Sequence, residues 1–281
     1  MLIKFTKLHG TGNDFIVIDA QNMQKDWTSI AVKMCDRHFG IGSDGVLLVL
    51  PSNKAQVKMR LFNSDGSEAE MSGNGIRCFA KYILDNGIVG KDASLNIETL
   101  AGIHPISVTL RNGRVATVKV GMGKPKLKPD EIPVSIPEKL DRIFDYPIKA
   151  NDSSFKITGV SMGNPHAVAF IDEAISSVDL ARIGPIVEHL TIFPRRVNFE
   201  IVNIVDRRNV KADVWERGVG LTLACGTGAA AIAVAGRLHG YTGDSLNVQL
   251  PGGALKLDWD GKGEVWLTGP VEEVFTGEWP E

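Results

Sequence analysis

SGNGIRCFAKYIL (Ser72–Leu84) and ACGTGAAAIAVAG (Ala224–Gly236) are two versions of one pattern, a Gly-x-Gly turn that opens directly into a helix-forming run. Two further stretches repeat around them. GNDFIVID (Gly12–Asp19) has its counterpart in GNPHAVAFID (Gly163–Asp172), and LNIETLAG (Leu95–Gly102) in LNVQLPGG (Leu246–Gly253). Taken in chain order, the three matches are offset by 151, 153 and 151 residues, a nearly constant register that reads as two pseudo-equivalent halves. Between them GMGKPKLKPDEIPVSIPEKLD (Gly121–Asp141) carries four prolines and little periodicity, which predicts a connection running extended over a surface, with the domain boundary near it.

Within each half the coarse pattern is rich in strands. IKFTKLHG, GVLLVLP, VKMRLFN, LNIETL and HPISVTL supply the first, and KITGVSM, HAVAFID, VNFEIVNIV, KADVWER and ALKLDW the second. After Gly75 the residues Ile76, Phe79, Ala80, Ile83 and Leu84 keep an apolar helical stripe, with Arg77 and Lys81 off it. GAAAIAVAG is apolar all round, and a helix of that kind is buried on every side, so a sheet has to curl around it. The expected fold class is α+β: two pseudo-equivalent domains, each a strongly curved, mostly antiparallel sheet wrapped on a central helix. The two helix N-termini are then available to face a shared cleft.

Composition narrows the function classes. At 281 residues the chain suits about two domains. Lys plus Arg at 31 nearly balance Asp plus Glu at 33, which leaves no basic footprint for nucleic acid. The longest strongly apolar run, near Leu223–Gly236, falls short of a membrane span, and MLIKFTKLHG does not read as a signal peptide. Cys35, Cys78 and Cys225 form neither a CxxC motif nor a Cys/His cluster. Free thiols in a reducing cytoplasm, with no metal site, are expected.

The start of a helix presents unpaired N–H groups and about half a positive charge, so it suits a carboxylate and favours a thiolate placed there. Cys225 stands at such a place, with Gly226 and Gly228 allowing close approach of a ligand. A small buried hydrophobe is the plainer reading of a lone cysteine; the Cys-Gly-x-Gly context argues for function. At the matching point Ser72 is better read as a helix N-cap. Nine residues upstream of each helix start stand Asn63 and Glu216, each leaving a strand for a Gly-bearing turn. Asn13, Asn63, Asn74, Asn164 and Asn198 all sit beside Gly or at apparent strand ends, as turn formers or as contacts to a polar zwitterion. His166 is open between a structural and an active-site role. Neither GNG nor GTG continues into a Walker or GxGxxG pattern, so no nucleotide cofactor is expected.

Across nearly the whole chain these motifs resemble the diaminopimelate epimerase family: HGTGNDFIVID, FNSDGSEAEMSGNGIRC, SMGNPH, RVNFE, WERGVGLTLACGTGA, LPGG and the closing TGP. The resemblance implies two domains, 1–122 plus 269–281 and 123–268, with the last residues returning to the first sheet. It implies cofactor-independent two-base inversion at one carbon of diaminopimelate, in lysine biosynthesis, by a cytoplasmic homodimer. Carried over by motif, Gly73 with Asn74 and Gly226 with Thr227 hold the reacting carboxylate. Asn13, Asn63, Asn164, Asn198, Glu216 and Arg217 bind the rest, and His166 and Glu216 tune the catalytic sulfurs.

One residue departs from the pattern. Where the family has its first catalytic cysteine this chain has Ser72, whose hydroxyl is a far weaker acid than a thiol of pKa about 8.5. Cys78 is no substitute, because six residues along a helix are about 9 Å of rise and 240° of rotation. Gly45 stands where a glutamine contact is often found. These departures keep other readings open: a racemase or dehydratase of another amino acid on the same fold, or an amino-acid-binding relative without full catalysis.

Overall fold

The computed structural model describes residues 2–90 and 94–280, which divide into two compact units, Met1–Gly121 with Thr268–Glu281, and Met122–Leu267. The first contains β1 (Leu2–Gly10), β2 (Asn13–Asp19), α1 (Trp27–Cys35), β3 (Gly45–Leu50), β4 (Val57–Asn63), β5 (Glu68–Ala69), α2 (Gly73–Asp85), β6 (Ser94–Thr99), β7 (Gly102–Arg111) and β8 (Arg114–Gly121). The second contains β9 (Tyr146–Ala150), β10 (Ser153–Ser161), β11 (Pro165–Phe170), α3 (Leu180–Glu188), β12 (Asn198–Asp206), β13 (Asn209–Glu216), β14 (Gly220–Thr222), α4 (Gly226–Leu238), β15 (Ser245–Leu250) and β16 (Gly253–Asp258). β17 (Trp266–Pro270) and β18 (Glu272–Pro280) end the chain. This is the α+β class that the repeat predicts.

The two units use one connectivity. In the first, β1 and β2 pair antiparallel, β2 runs parallel to β3, β3 pairs with β4, and β4 runs parallel to β6. The second repeats this with β10–β11 antiparallel, β11–β12 parallel, β12–β13 antiparallel and β13–β15 parallel. Parallel neighbours need a crossover. α1 and α3 fill those between β2 and β3 and between β11 and β12, and each is capped by an aspartate, Asp26 and Asp179, accepting from the N–H three residues on. The closing strand β18 pairs with β1 in the first unit, from Leu2 opposite Pro280 to His9 opposite Glu272.

Each central helix is enclosed by its own sheet. α4 packs on β10, β11, β12, β15 and β16, and its run from Ala229 to Ala235 is buried throughout. α2 packs on β1, β2, β3, β4 and β8. Here the apolar stripe understates the burial, since Arg77 and Lys81 are buried as well, at 0% and 6% exposure. A buried charge needs partners, and these come partly from α2 itself and partly from distant sequence. Arg77 donates to the carbonyls of Gly73 and Pro270, to Asn74 Oδ1 and to Thr11 Oγ1; Lys81 donates to Asp85 Oδ2 and the Val115 carbonyl. Burial lowers the Arg77 pKa to about 10.

The proline-bearing stretch differs from its expected role as a surface connection. Ile132 and Val134 are buried in the core of the second unit, Lys126 bridges Ser161, and Ser135 N–H donates to the Ile192 carbonyl. Apart from a 3-10 turn at Pro129–Glu131 the stretch is irregular, yet its apolar side chains are not kept in water. Gly45 likewise has a packing reason, because a Cβ there would lie 2.7 Å from the Phe62 carbonyl oxygen. Gly45→Ala is expected to lower unfolding free energy by about 1–3 kcal/mol in urea titration, and an unchanged midpoint would show that β3 shifts freely.

Candidate active site

The two helix starts present the same backbone with different chemistry. Ser72 and Cys225 are the N-caps of α2 and α4, both in extended conformation. Ser72 Oγ accepts the Gly75 N–H at 3.0 Å, and Cys225 Sγ accepts the Gly228 N–H at 3.3 Å. The capping role read for Ser72 is thus observed, and the sulfur occupies the matching position in the second unit. Ahead of the first i to i−4 bond, Gly226 and Thr227 supply N–H groups of the kind that binds anions at a helix start. Cys78 is wholly buried, and burial pushes its thiol up to about 12, which confines it to packing.

In the second unit a hydrogen-bonded chain ends at the sulfur. Glu200 Oε1 lies 2.6 Å from His166 Nδ1, His166 Nε2 lies 3.0 Å from Asn164 Oδ1, and Asn164 Nδ2 donates to Thr227 Oγ1 at 3.3 Å. Thr227 Oγ1 is in turn 3.5 Å from Cys225 Sγ. From another side the Glu216 carboxylate acts electrostatically on Cys225, and it accepts from Thr222 Oγ1 at 2.6 Å. Asn198 donates to the Pro165 carbonyl and accepts the Arg217 N–H, while the Arg217 guanidinium is exposed and donates to the Arg195 carbonyl. The end of β13 and the turn after it, which carry Glu216 and Arg217, are anchored by Glu188. That buried carboxylate accepts from Trp215 Nε1 and the Gly218 N–H.

In the first unit Asn13 and Asn74 meet through Asn74 Nδ2 and Asn13 Oδ1 at 3.1 Å. Arg77 Nη1 fixes Asn74 Oδ1, and Asn13 Nδ2 donates to Asp44, whose carboxylate pairs with Arg37. Asn63 donates to Ser67 Oγ within its own turn, the turn-forming reading of that residue. Among the described residues, the Asn13 and Ser72 surroundings carry no counterpart of the His166–Glu200 pair. A Cβ on Gly75 would touch Phe15 and Leu47, whereas one on Gly228 would lie 3.0 Å from Glu200 Oε1. The half-sites are therefore alike in backbone and unlike in charge.

The Cys225 thiol is not acidified by its helix. Burial raises its pKa well above the ordinary value, the nearby Glu216 and Glu200 carboxylates add to that, and bonds from Thr227 and Gly228 only partly offset it. The sequence expectation of a thiol drawn toward neutrality fails here, because desolvation of a thiolate outweighs half a helix charge. Glu216 is itself raised by burial, with Thr222 and Cys225 pulling it back. Neighbouring groups that both resist charge suit proton exchange with each other. Glu216→Gln removes a negative charge beside the sulfur, so the Cys225 titration should move to lower pH. Thiolate absorbance referenced to Cys225→Ala checks this; an unmoved curve would show that Glu216 does not act on the sulfur.

Glu200, Glu188 and Arg77 escaped the sequence reading. A single charge inside the apolar run NFEIV was the available signal for Glu200. Among the described residues no group of three or more His, Cys, Asp or Glu side chains is placed to hold a metal ion, and no helix is long and apolar enough to cross a membrane.

Comparison with known proteins adds an independent finding. The family model for diaminopimelate epimerase matches residues 5–128 and 158–274. The diaminopimelate epimerase of Pelotomaculum thermopropionicum is 47% identical over 279 residues, covering 98% of each chain. That of Methanococcus maripaludis (strain S2) is 49% identical over 278 residues, covering 98% of this chain and 99% of its own. Among solved structures, a PhzF-family phenazine biosynthesis protein of Bacillus anthracis superposes with a TM-score of 0.71 at 18% identity over 100% of both chains. A probable proline racemase from Agrobacterium radiobacter K84 gives 0.69 at 17%, covering 98% of this chain and 92% of its own. At such identities these two share the fold.

Proposed function

The chain belongs to the diaminopimelate epimerase family, and from that premise we propose that it interconverts LL- and meso-diaminopimelate by proton transfer at one α-carbon, without a cofactor. It thereby serves lysine biosynthesis, as a cytoplasmic homodimer. The observation that carries this reading is the place of Cys225 as N-cap at the start of α4, its sulfur accepting the Gly228 N–H, with the Glu216 carboxylate close enough to act on it electrostatically. It gives one sulfur both a proton acceptor and an anion-binding helix end.

The chemistry follows from charge and protons. Breaking the α-C–H bond leaves an electron pair that delocalises into the adjacent carboxylate, and the added negative charge must be met by fixed dipoles. The Gly226 and Thr227 N–H groups and the α4 dipole supply these in the second unit. Cys225 starts as a thiol. To take the α-proton it first gives its own to Glu216, and the resulting thiolate then accepts the proton from carbon, leaving the C–H electron pair on the substrate. Inversion requires a second group on the opposite face to protonate the carbanion, and in our assignment the Ser72 hydroxyl does so. Gly73 and Asn74 at the start of α2, with Asn13, Asn63, Asn164, Asn198 and Arg217, hold the amino and carboxyl groups; the planar Arg217 fork suits the distal carboxylate. His166 and Glu216 set the proton balance at Cys225.

The test is purified protein with LL-diaminopimelate and no added cofactor, followed by chiral chromatography. Appearance of the meso form supports the reading. Inversion of proline or glutamate in its place would favour a racemase of another amino acid, and binding without proton exchange would favour a non-catalytic relative.

A further inference from the structure

Glu188 is a carboxylate in an unfavourable place. It is the last residue of α3, where the helix dipole disfavours negative charge, and it is only 3% exposed. Burial of that kind persists when donors converge on the group, and three do. Its Oε2 accepts the Trp215 Nε1–H at 2.7 Å, its Oε1 accepts the Gly218 N–H at 3.1 Å, and the Arg196 guanidinium lies 3.5 Å from Oε1. Each of these groups can only donate. One turn earlier on the same face of α3, bare Gly184 receives the Trp215 ring, since a Cβ there would lie 2.3 Å from it. The indole is thus seated on α3 and pinned by its N–H.

Trp215 and Gly218 bracket Glu216 and Arg217, so one carboxylate holds both ends of the segment that carries these two residues. Glu216 has holders of its own, the strand pairing with Gly220 and the Thr222 hydroxyl. Arg217 has fewer. Its N–H goes to Asn198 Oδ1 and its guanidinium to the Arg195 carbonyl. The next residue, Arg196, stands in the left-handed region at φ 58° and pairs with Glu188. Glu188 therefore reaches Arg217 twice, through the Gly218 N–H and through Arg196. Among the described residues no carboxylate pairs with Arg217, which leaves its fork for an external anion. We propose that Glu188 is a positioning residue for substrate selection: it sets Arg217 against the distal carboxylate and so favours a diamino diacid over an amino acid with a single carboxylate. This rests on the reading that Arg217 binds that carboxylate.

The test compares diaminopimelate with lysine, which lacks the second carboxylate, on the full chain. Glu188→Gln keeps the shape of the side chain but brings an NH2 that must face either the Trp215 or the Gly218 donor. It should raise KM for diaminopimelate about tenfold or more, the size of a lost hydrogen bond to a charged group, while kcat changes much less. For α-deuterium exchange into lysine, kcat/KM should stay within about twofold of wild type, so the preference for the diacid falls. Glu188→Gln/Trp215→Phe removes the indole donor, lets the Gln oxygen return to the Gly218 N–H, and should recover most of the lost KM. That rescue and the retained lysine exchange separate positioning from loss of fold. An unchanged preference in Glu188→Gln, equal losses with both substrates, or no recovery in the double variant would overturn the inference. Wild-type protein that binds diaminopimelate but exchanges no α-proton would overturn the functional reading instead. The same preference, taken from dissociation constants by calorimetry, then decides the role of Glu188.

Discussion

Ser72→Cys is expected to raise the rate of diaminopimelate inversion by about 10² to 10⁴-fold, the range over which a well-matched acid or base acts. The helix start should accept the change. Cys225 shows that a thiol serves as N-cap in this backbone, receiving the Gly228 N–H as Ser72 receives that of Gly75. The cost in stability is then about 1 kcal/mol or less. The gain should appear in both directions equally. LL-to-meso and meso-to-LL conversion pass through the same transition states, and the enzyme cannot alter the equilibrium between them. A hydroxyl that removes protons poorly also returns them through the same high barrier. Steady-state kinetics from each stereoisomer check this; a rate within threefold of wild type would show that the second face is not limited by Ser72.

Cys225→Ala should abolish the fast α-proton exchange of the stereoisomer whose proton faces Cys225, a loss of about 10³-fold or more in its exchange rate, because it removes the thiol at the start of α4. Cys225→Ser is the sharper control. It retains a capping oxygen and leaves a hydroxyl at each helix start, so it should fall to the same floor while keeping its melting temperature within a few degrees. Retention of substantial exchange in Cys225→Ser would mean that proton removal lies with another group, and Glu216 would be the first to examine.

Much of the fold was legible because it is written twice. The Gly-x-Gly turns, the alternating strands and the all-apolar GAAAIAVAG helix each report a local requirement, and the near-constant offset joins them into halves. The buried cations of α2 were not legible. Arg77 and Lys81 depend on Thr11, Val115 and Pro270, whose proximity exists only after folding. The same limit explains Ile132 and Val134, read as part of a surface connection and found in a core. At the site, Cys225 and the Ser72 cap could be placed from the helix pattern alone. The direction of the thiol shift could not, since it turns on how deeply the sulfur is buried and on two carboxylates brought in by β12 and the end of β13. Glu200 was hidden because a strand neighbour of His166 cannot be identified until β11 and β12 are known to run side by side.

The claim on which the account rests is that proton transfer is competent on the Cys225 side and impaired on the side of Ser72. It is tested by incubating each diaminopimelate stereoisomer with the wild-type protein in deuterated water, scoring α-deuterium and stereochemical inversion in the same samples. The account predicts that one stereoisomer gains deuterium far faster than it inverts, and that the other shows slow exchange that keeps pace with inversion. Equal, tightly coupled exchange and inversion from both stereoisomers would contradict it.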